Sequence, residues 1–110
     1  MNLRMSKNAL RFRLSKEESL ILYTNGILSE KVNFGTNTLD FSLKSSKKPI
    51  IEAQFKNNSV LISIPETTIE NWAKSDQIKI VSKISLVNDE YLSISIEKDL
   101  FDEKKRKRKG

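Results

Sequence analysis

The sequence has no cysteine and no histidine, and these two absences exclude much of the chemistry that small enzymes use. Without cysteine there can be no disulfide, no thiolate nucleophile and no zinc–thiolate or iron–sulfur site. Without histidine the chain lacks the usual general base near neutral pH and the commonest transition-metal ligand. These absences favour a protein that uses no cofactor and is not an enzyme.

Glycine and long apolar runs are also scarce. Glycine stands only at positions 26, 35 and 110, which are too few and too scattered for a phosphate-binding loop or a dinucleotide fingerprint. The longest apolar run, Leu20 to Tyr23, cannot cross a membrane, and the first residues carry charges where a signal peptide needs its apolar centre. We expect a soluble, cytoplasmic protein without membrane contact.

The net charge of +6 is divided unevenly along the chain. Residues 102–110 hold six cations and two acids, a balance of +4, whereas residues 1–101 hold 14 cations and 12 acids, a balance of +2. The body is thus nearly neutral, and only the tail is strongly basic. We predict one globular domain over 1–101, followed by a disordered basic tail over 102–110.

Period-two alternation of apolar and polar residues predicts short amphipathic strands along most of the chain. They are expected over 8–15, 27–35, 38–44, 50–56, 59–65, 76–87 and 90–100. The four strands between residues 27 and 65 are joined by short turns and predict an antiparallel meander. A slip of phase near Val81 and Ser82 predicts a bulge in the sixth strand.

Two short helices interrupt the strands. Ser15 and Glu18 have the spacing of a capping box, and Gly26 suits the left-handed position after a helix, so a helix is predicted over about 16–24. A second helix is predicted over 66–75, where Ile69 and Trp72 share one apolar face. A lone Trp on such a face is more often part of the core than a platform for a ligand.

These elements predict a mainly β (α+β) fold in the order β-α-β-β-β-β-α-β-β. About seven antiparallel strands would form one curved or barrel-like sheet with two short helices, because each strand has one apolar face that must be covered. The sequence shows no recognisable internal repeat.

Several stretches resemble a family of short uncharacterised bacterial proteins, a domain of unknown function. They are "LRFRLSKEE" at 10–18, "FG" at 34–35, "LDFSL" at 39–43, "ISIP" at 62–65, "NWAKSDQI" at 71–78 and "SISIEKDL" at 93–100. The resemblance covers about residues 9–100. It implies no activity, because members of that family are uncharacterised as a class.

The tail is the first candidate binding site. Consecutive cations neutralise phosphates and release counterions, which gives salt-sensitive, sequence-independent affinity for nucleic acid or another polyanion. No aromatic residue interrupts them, so base stacking adds nothing, and a terminus that only aids solubility is the competing interpretation. The residues are Lys104, Lys105, Arg106, Lys107, Arg108 and Lys109.

A polar cluster is the second candidate. Arg11 and Arg13 share the outer face of the first predicted strand, and Glu97 and Asp99 share that of the last. If closure of the sheet makes these strands neighbours, the residues form cross-strand surface ion pairs. The functional alternatives are a divalent-metal site or a paired-carboxylate acid–base site, which Lys98 between the two acids disfavours.

Three functions therefore remain open. The first is a non-enzymatic binding or structural domain that acts on an unknown protein partner or as a homo-oligomer. The second is nucleic-acid or polyanion binding through the tail, helped by Arg11 and Arg13. The third is a carboxylate- or metal-dependent enzyme that uses Glu97 and Asp99.

Overall fold

A computed structural model describes residues 1–99, which form eight strands, two α-helices and one 3-10 turn. The elements in chain order are β1 (Asn2–Ser6), β2 (Ala9–Leu14), α1 (Lys16–Asn25), β3 (Ile27–Asn33), β4 (Thr38–Ser46), β5 (Glu52–Lys56), β6 (Ser59–Pro65), α2 (Glu66–Ala73), β7 (Lys79–Ser85), the 3-10 turn (Val87–Asp89) and β8 (Tyr91–Lys98). The predicted tail, 102–110, lies outside the described residues.

The strands form two four-stranded mixed sheets rather than one antiparallel sheet. Sheet 1 has the order β1-β2-β8-β7 and sheet 2 the order β3-β4-β6-β5. The outer pairs of each sheet are antiparallel, whereas the central pairs β2–β8 and β4–β6 are parallel. The prediction of a mainly β fold with two short helices is confirmed, whereas that of about seven antiparallel strands in one barrel-like sheet was wrong in strand number, pairing and closure.

Two more local predictions were wrong for related reasons. The meander over 27–65 is interrupted, because β6 inserts between β4 and β5 in the sheet. The predicted bulge near Val81 and Ser82 is absent, since the β7–β8 register runs without a break from the Lys79–Glu97 pair to the Ser85–Tyr91 pair. Val81 is simply an apolar residue on the outer face of an edge strand, where it is 70% exposed.

The chain contains a structural repeat that its amino-acid pattern does not reveal. The segment β1-β2-α1-β3-β4 has the same element order as β5-β6-α2-β7-β8, and each sheet joins the first hairpin of one segment to the second hairpin of the other. The turns Lys7-Asn8 and Asn57-Asn58 both have positive φ at both residues, as a type I′ hairpin turn requires. Leu10, Phe12 and Leu14 thus correspond to Val60, Ile62 and Ile64, which share apolar character without identity.

One core lies between the sheets and helices. Both sheets and both helices contribute buried side chains to a single cluster, among them Phe12, Leu22, Leu43, Ile62 and Ile96. The two helices contact one another, and each also contacts strands of both sheets. Trp72 is fully buried, so the interpretation of it as a core residue is confirmed.

The caps of α1 are those that the sequence predicts. Ser15 Oγ accepts a hydrogen bond from the Glu18 backbone N–H, and the Glu18 side chain accepts one from the Ser15 backbone N–H. Gly26 has φ 78°, a left-handed conformation that costs little without a Cβ. Helix α1 thus turns the chain from sheet 1 into sheet 2, as α2 turns it back.

Candidate functional site

The outer face of sheet 1 concentrates positive charge. Because side chains alternate across a strand, the register of the four strands places five cations and one acid on the side away from the core. We call this surface the basic face. Its cations are Arg4, Arg11, Arg13, Lys79 and Lys83, and its acid is Glu97.

The outer face of sheet 2 provides an internal comparison. Its register exposes three cations, Lys31, Lys44 and Lys56, and two acids, Asp40 and Glu52. The two faces therefore carry formal charges of +4 and +1, although the structural repeat relates them. Residues 1–99 are nearly neutral in total, but the fold concentrates their positive charge on the outer face of sheet 1.

Glu97 lies at the end of the basic face where β7 begins and β8 ends, and it is surrounded by three cations. Its Oε1 accepts hydrogen bonds from Arg13 Nε at 3.3 Å and Nη2 at 3.1 Å, and from Arg11 Nη2 at 3.4 Å. Lys79 Nζ lies 3.9 Å from the other carboxylate oxygen. The Glu97 side chain is only 8% exposed, whereas those of Arg11, Arg13 and Lys79 are about half exposed. The carboxylate thus holds the three cations in place while they stay open to solvent.

The surroundings of Glu97 lower its pKa. Burial alone would raise it by disfavouring the charged form. The hydrogen bond from Arg13 and the charges of Arg11, Arg13 and Lys79 outweigh burial, so the pKa lies below its ordinary value. Glu97 is therefore ionised at neutral pH, and the cluster of four side chains keeps a net charge of +2.

Arg4 and Arg11 form a like-charge pair across two strands. They are direct partners in the antiparallel register of β1 and β2, an arrangement that destabilises a sheet. Arg11 is partly compensated by Glu97, but Arg4 has no ion pair with an acid among residues 1–99. The repulsion between Arg4 and Arg11 is therefore not cancelled within residues 1–99, and such breaches of a local rule are expected at functional or strained sites.

The basic face is not smooth. Small side chains at its centre, Ala9, Ser93 and Ser95, form part of a shallow depression of about 500 Å³ that Arg11 and Lys83 also line. A second depression of about 310 Å³ adjoins it and is lined by Asn2, Arg4, Arg11, Arg13 and Glu97. The cations thus border two depressions in which a ligand can approach the backbone of the sheet.

One aromatic ring lies at the margin of this face. Tyr91 opens β8, is 52% exposed and has Lys83 Nζ 5.7 Å from its ring centre. This cation–π contact keeps Lys83 near the face. A single ring can stack against at most one base or planar group, so the face is dominated by charge.

Lys98, the last residue of β8, points to the opposite side of the sheet. It is buried, its Nζ donates a hydrogen bond of 2.7 Å to the Ser75 carbonyl, and it lies 5.6 Å from the centre of the Trp72 ring. In the sequence, Lys98 stands out only as a neighbour of two acids. The structure gives it a separate role, because its bond to Ser75 ties the end of β8 to the turn that follows α2.

The structure brings together most of the polar cluster that the sequence singles out. Arg11, Arg13 and Glu97 are in contact because β2 and β8 are parallel neighbours, not because a barrel closes. Asp99 follows β8, its backbone N–H donates to the Leu14 carbonyl at 2.7 Å, and it lines a 320 Å³ depression together with Glu97 and Lys79. The six basic tail residues 104–109 lie outside the described residues.

Three cations of the basic face are not among the residues that the sequence singles out. Lys79 and Lys83 stand in phase within "KIVSK", which is a usable signal, but nothing local shows that β7 lies two strands from β2. Arg4 lies in a strand that the sequence pattern does not predict. A charge pattern that spans several strands becomes visible only once the pairing is known.

The geometry does not favour the metal or carboxylate alternative at Glu97. Its carboxylate is already engaged by guanidinium and ammonium groups, which compete with a metal ion for the same oxygens. Within residues 1–99 there is no group of three acidic side chains close enough to hold a metal ion. Nor does any helix of that part of the chain have the length and apolar character needed to span a membrane.

Comparison with known proteins identifies a family but no activity. Neither the curated proteins nor the solved structures provide a match. One family model does match, and it covers residues 1–108, which extends the resemblance at 9–100 to β1 and to most of the basic tail. On this match the chain belongs to the Family of unknown function (DUF7009).

Proposed function

We propose that the domain is a non-enzymatic binding module that holds the phosphate backbone of a nucleic acid against the basic face of sheet 1. The observation that carries this proposal is the separation of charge, five cations and one acid on this face against three and two on its counterpart. Electrostatic neutralisation of phosphates by Lys and Arg supplies most sequence-independent affinity for nucleic acids.

The spread of the cations favours an extended ligand over a small anion. They occur on three of the four strands, from Arg4 on edge strand β1 to Lys83 on edge strand β7. At a strand spacing of about 4.8 Å, these edges lie roughly 14 Å apart. A single phosphate could contact only the centre of such a surface, whereas a backbone with successive phosphates can engage both margins.

Glu97 fits this proposal as a positioning group. It lies between Arg11, Arg13 and Lys79 and restricts their side chains, which reduces the conformational entropy that binding would otherwise cost. The guanidinium groups of Arg11 and Arg13 are about half exposed, so they can still donate to a phosphate.

The basic tail is proposed as an auxiliary element. The chain leaves the described residues after Asp99, which lines a depression together with Arg13 and Lys79. Residues 104–109 follow Asp99 within ten positions of the sequence, and their six cations would add phosphate contacts to the same ligand.

The test is fluorescence anisotropy with labelled single-stranded and duplex oligonucleotides over a range of salt concentrations. The triple variant Arg4→Gln, Arg11→Gln, Lys83→Gln should weaken binding. It should also reduce the slope of log affinity against log salt by about 0.7–0.9 for each phosphate that is no longer neutralised. The matched control, Lys31→Gln, Lys44→Gln, Lys56→Gln, removes the same charge from sheet 2 and should leave affinity nearly unchanged.

Deletion of residues 102–110 distinguishes binding by the basic face from binding by the tail. We expect the shortened chain to bind more weakly and with a smaller salt slope, but still to depend on the three basic-face residues. Equal losses of affinity in the two triple variants would contradict a specific face, and abolition of binding by the deletion alone would assign the function to the tail.

A further inference from the structure

We infer that the free edge of β7 is a second binding site, which accepts an extended peptide segment of alternating acidic and apolar residues as an added strand of sheet 1. The site lies beside the basic face but uses different groups, namely backbone N–H and C=O. It shares Lys79 and Lys83 with that face, but its backbone contacts can be tested separately from nucleic-acid binding.

The hydrogen-bond pattern shows which backbone groups of β7 are available. Lys98 N–H donates to the Ile78 carbonyl and Leu86 N–H donates to the Glu90 carbonyl, so the even-numbered residues of this segment bond to β8. In an antiparallel ladder, the alternate residues then direct their N–H and C=O away from the partner. Those of Val81 and Lys83 therefore point to the open edge.

One free-edge group is already capped by a side chain. The amide of Gln77 donates a 2.8 Å hydrogen bond to the Lys79 carbonyl. This contact marks Lys79 as an outward-facing residue in the ladder and closes the pairing edge at that end. A peptide strand would pair from Val81 onward.

The edge borders a groove of suitable size and character. A concavity of about 670 Å³ runs along all of β7 and is bounded on its far side by the segment before β5 and by the start of α2. Its apolar lining includes Ile50, Ile51, Pro65, Ile80 and Ile84. Side chains on one side of an added strand would enter this lining, as in other complexes formed by strand addition.

The lysines of β7 determine which kind of peptide fits this edge. On the opposite side of β7, the outer-face residues are Lys79, Val81 and Lys83, so the residues of an added strand on that side would lie along a row of two lysines and one valine. Acidic residues at those positions and apolar residues between them complement both sides of the edge. A second copy of β7 is a poorer occupant, because antiparallel self-pairing centred on Val81 would bring Lys79 opposite Lys83 and offers no acidic partner in any register.

The test uses the full chain, labelled with ¹⁵N, and two synthetic peptides of the length of β7. One alternates valine with glutamate and the other alternates valine with lysine. The valine–glutamate peptide should bind and slow hydrogen exchange at the amides of Val81 and Lys83. The amides of Ile80 and Ser82, which already bond to β8, should change little.

Val81→Pro is the blocking variant. Its missing N–H points to the open edge, so the β7–β8 ladder stays intact, as is usual for proline in edge strands. We expect peptide affinity to fall by about tenfold, which corresponds to the loss of one backbone hydrogen bond. Ser29→Pro, at the corresponding edge position of β3, is the matched control and should bind the peptide like the unaltered chain.

Lys83→Glu provides a second variant that tests charge without altering the backbone. It should reduce the preference for the valine–glutamate peptide over the valine–lysine peptide. The inference is overturned if neither peptide binds, if the valine–lysine peptide binds the unaltered chain equally well, if Val81→Pro has no effect in a folded chain, or if sedimentation shows a dimer that shields this edge.

Discussion

Arg13 and Glu97 are direct partners in the parallel pairing of β2 and β8, and one carboxylate oxygen accepts two hydrogen bonds from the Arg13 guanidinium. The two residues are 84 positions apart in the chain, so this contact fastens the last strand of the fold beside one of the first. It also sets the orientation of a half-exposed cation on the basic face. The Arg13–Glu97 pair thus both holds two strands of sheet 1 together and orients a cation toward the proposed ligand.

Glu97→Gln should separate the structural effect of this carboxylate from its effect on binding. We expect the free energy of unfolding to fall by about 1 kcal/mol, because the charge is lost but glutamine keeps an acceptor, and the partner cations are screened by solvent. Urea unfolding followed by Trp72 fluorescence measures this. Glu52→Gln, which removes an exposed carboxylate 3.1 Å from Lys48, is the control and should cost less than about 0.5 kcal/mol.

The same variant should bind oligonucleotides more tightly. Removing the one acid of the basic face raises its formal charge from +4 to +5, and no negative group is left there to repel phosphate. Anisotropy titrations should show higher affinity and a steeper salt dependence. A stable Glu97→Gln chain with unchanged affinity and unchanged salt dependence would contradict phosphate contact at this site.

Acid titration of stability should reveal the lowered pKa of Glu97. A carboxyl group whose folded pKa lies below its unfolded value contributes its stability above the unfolded value. That stability is lost as the pH falls through the folded pKa, because the unfolded chain takes up the proton first. The unfolded value is near 4.5. The stability difference between the unaltered chain and Glu97→Gln should therefore be constant near neutral pH and shrink below about pH 4.5, as measured by urea unfolding at successive pH values.

Arg4→Gln should raise stability and weaken nucleic-acid binding at the same time. Removing one member of the Arg4–Arg11 pair relieves repulsion, so the free energy of unfolding should rise by a few tenths of a kcal/mol. If Arg4 contacts phosphate, affinity for oligonucleotides should fall at the same time, with a salt slope smaller by about 0.7–0.9. Thermal unfolding and anisotropy on the same preparation measure the two effects. A variant that loses stability and keeps its affinity would show that Arg4 serves the fold.

The local features of this fold could be predicted from the sequence because each is encoded within a few residues. The capping box of Ser15 and Glu18, the left-handed Gly26 and the alternation in "LRFRL" depend on neighbours in the chain. The choice of strand partners does not depend on neighbours in the chain. Period two shows which side of a strand is apolar, but it contains no information on whether β2 pairs with β8 or in which direction.

The site was predictable to the same extent. The outward orientation of Arg11, Arg13 and Glu97 follows from the alternation, and only their contact depends on the pairing. The basic face needs Arg4 and Lys83 as well, which lie on opposite edges of sheet 1 and are 79 positions apart in the chain. The structural repeat was hidden because its halves share apolar pattern rather than identity, as Phe12 and Ile62 illustrate.

Trp72→Phe should destabilise the fold through two effects that occur together. Trp72 is fully buried, and its Nε1 donates a 2.9 Å hydrogen bond to the Ile78 carbonyl, which leads into β7. Phenylalanine leaves a cavity and removes that donor, although the Lys98 backbone N–H still bonds to the same carbonyl. We expect a loss of about 2–3 kcal/mol, measured by circular dichroism during urea unfolding. Phe55→Leu, at a side chain that is 73% exposed, should change stability by less than about 0.5 kcal/mol. Trp72 and Lys98 together fix the start of β7 and the end of β8, so Trp72→Phe should also speed exchange at the bonded amides of Ile80 and Lys98 before it does so in sheet 2. Uniform acceleration in both sheets would argue against this local role.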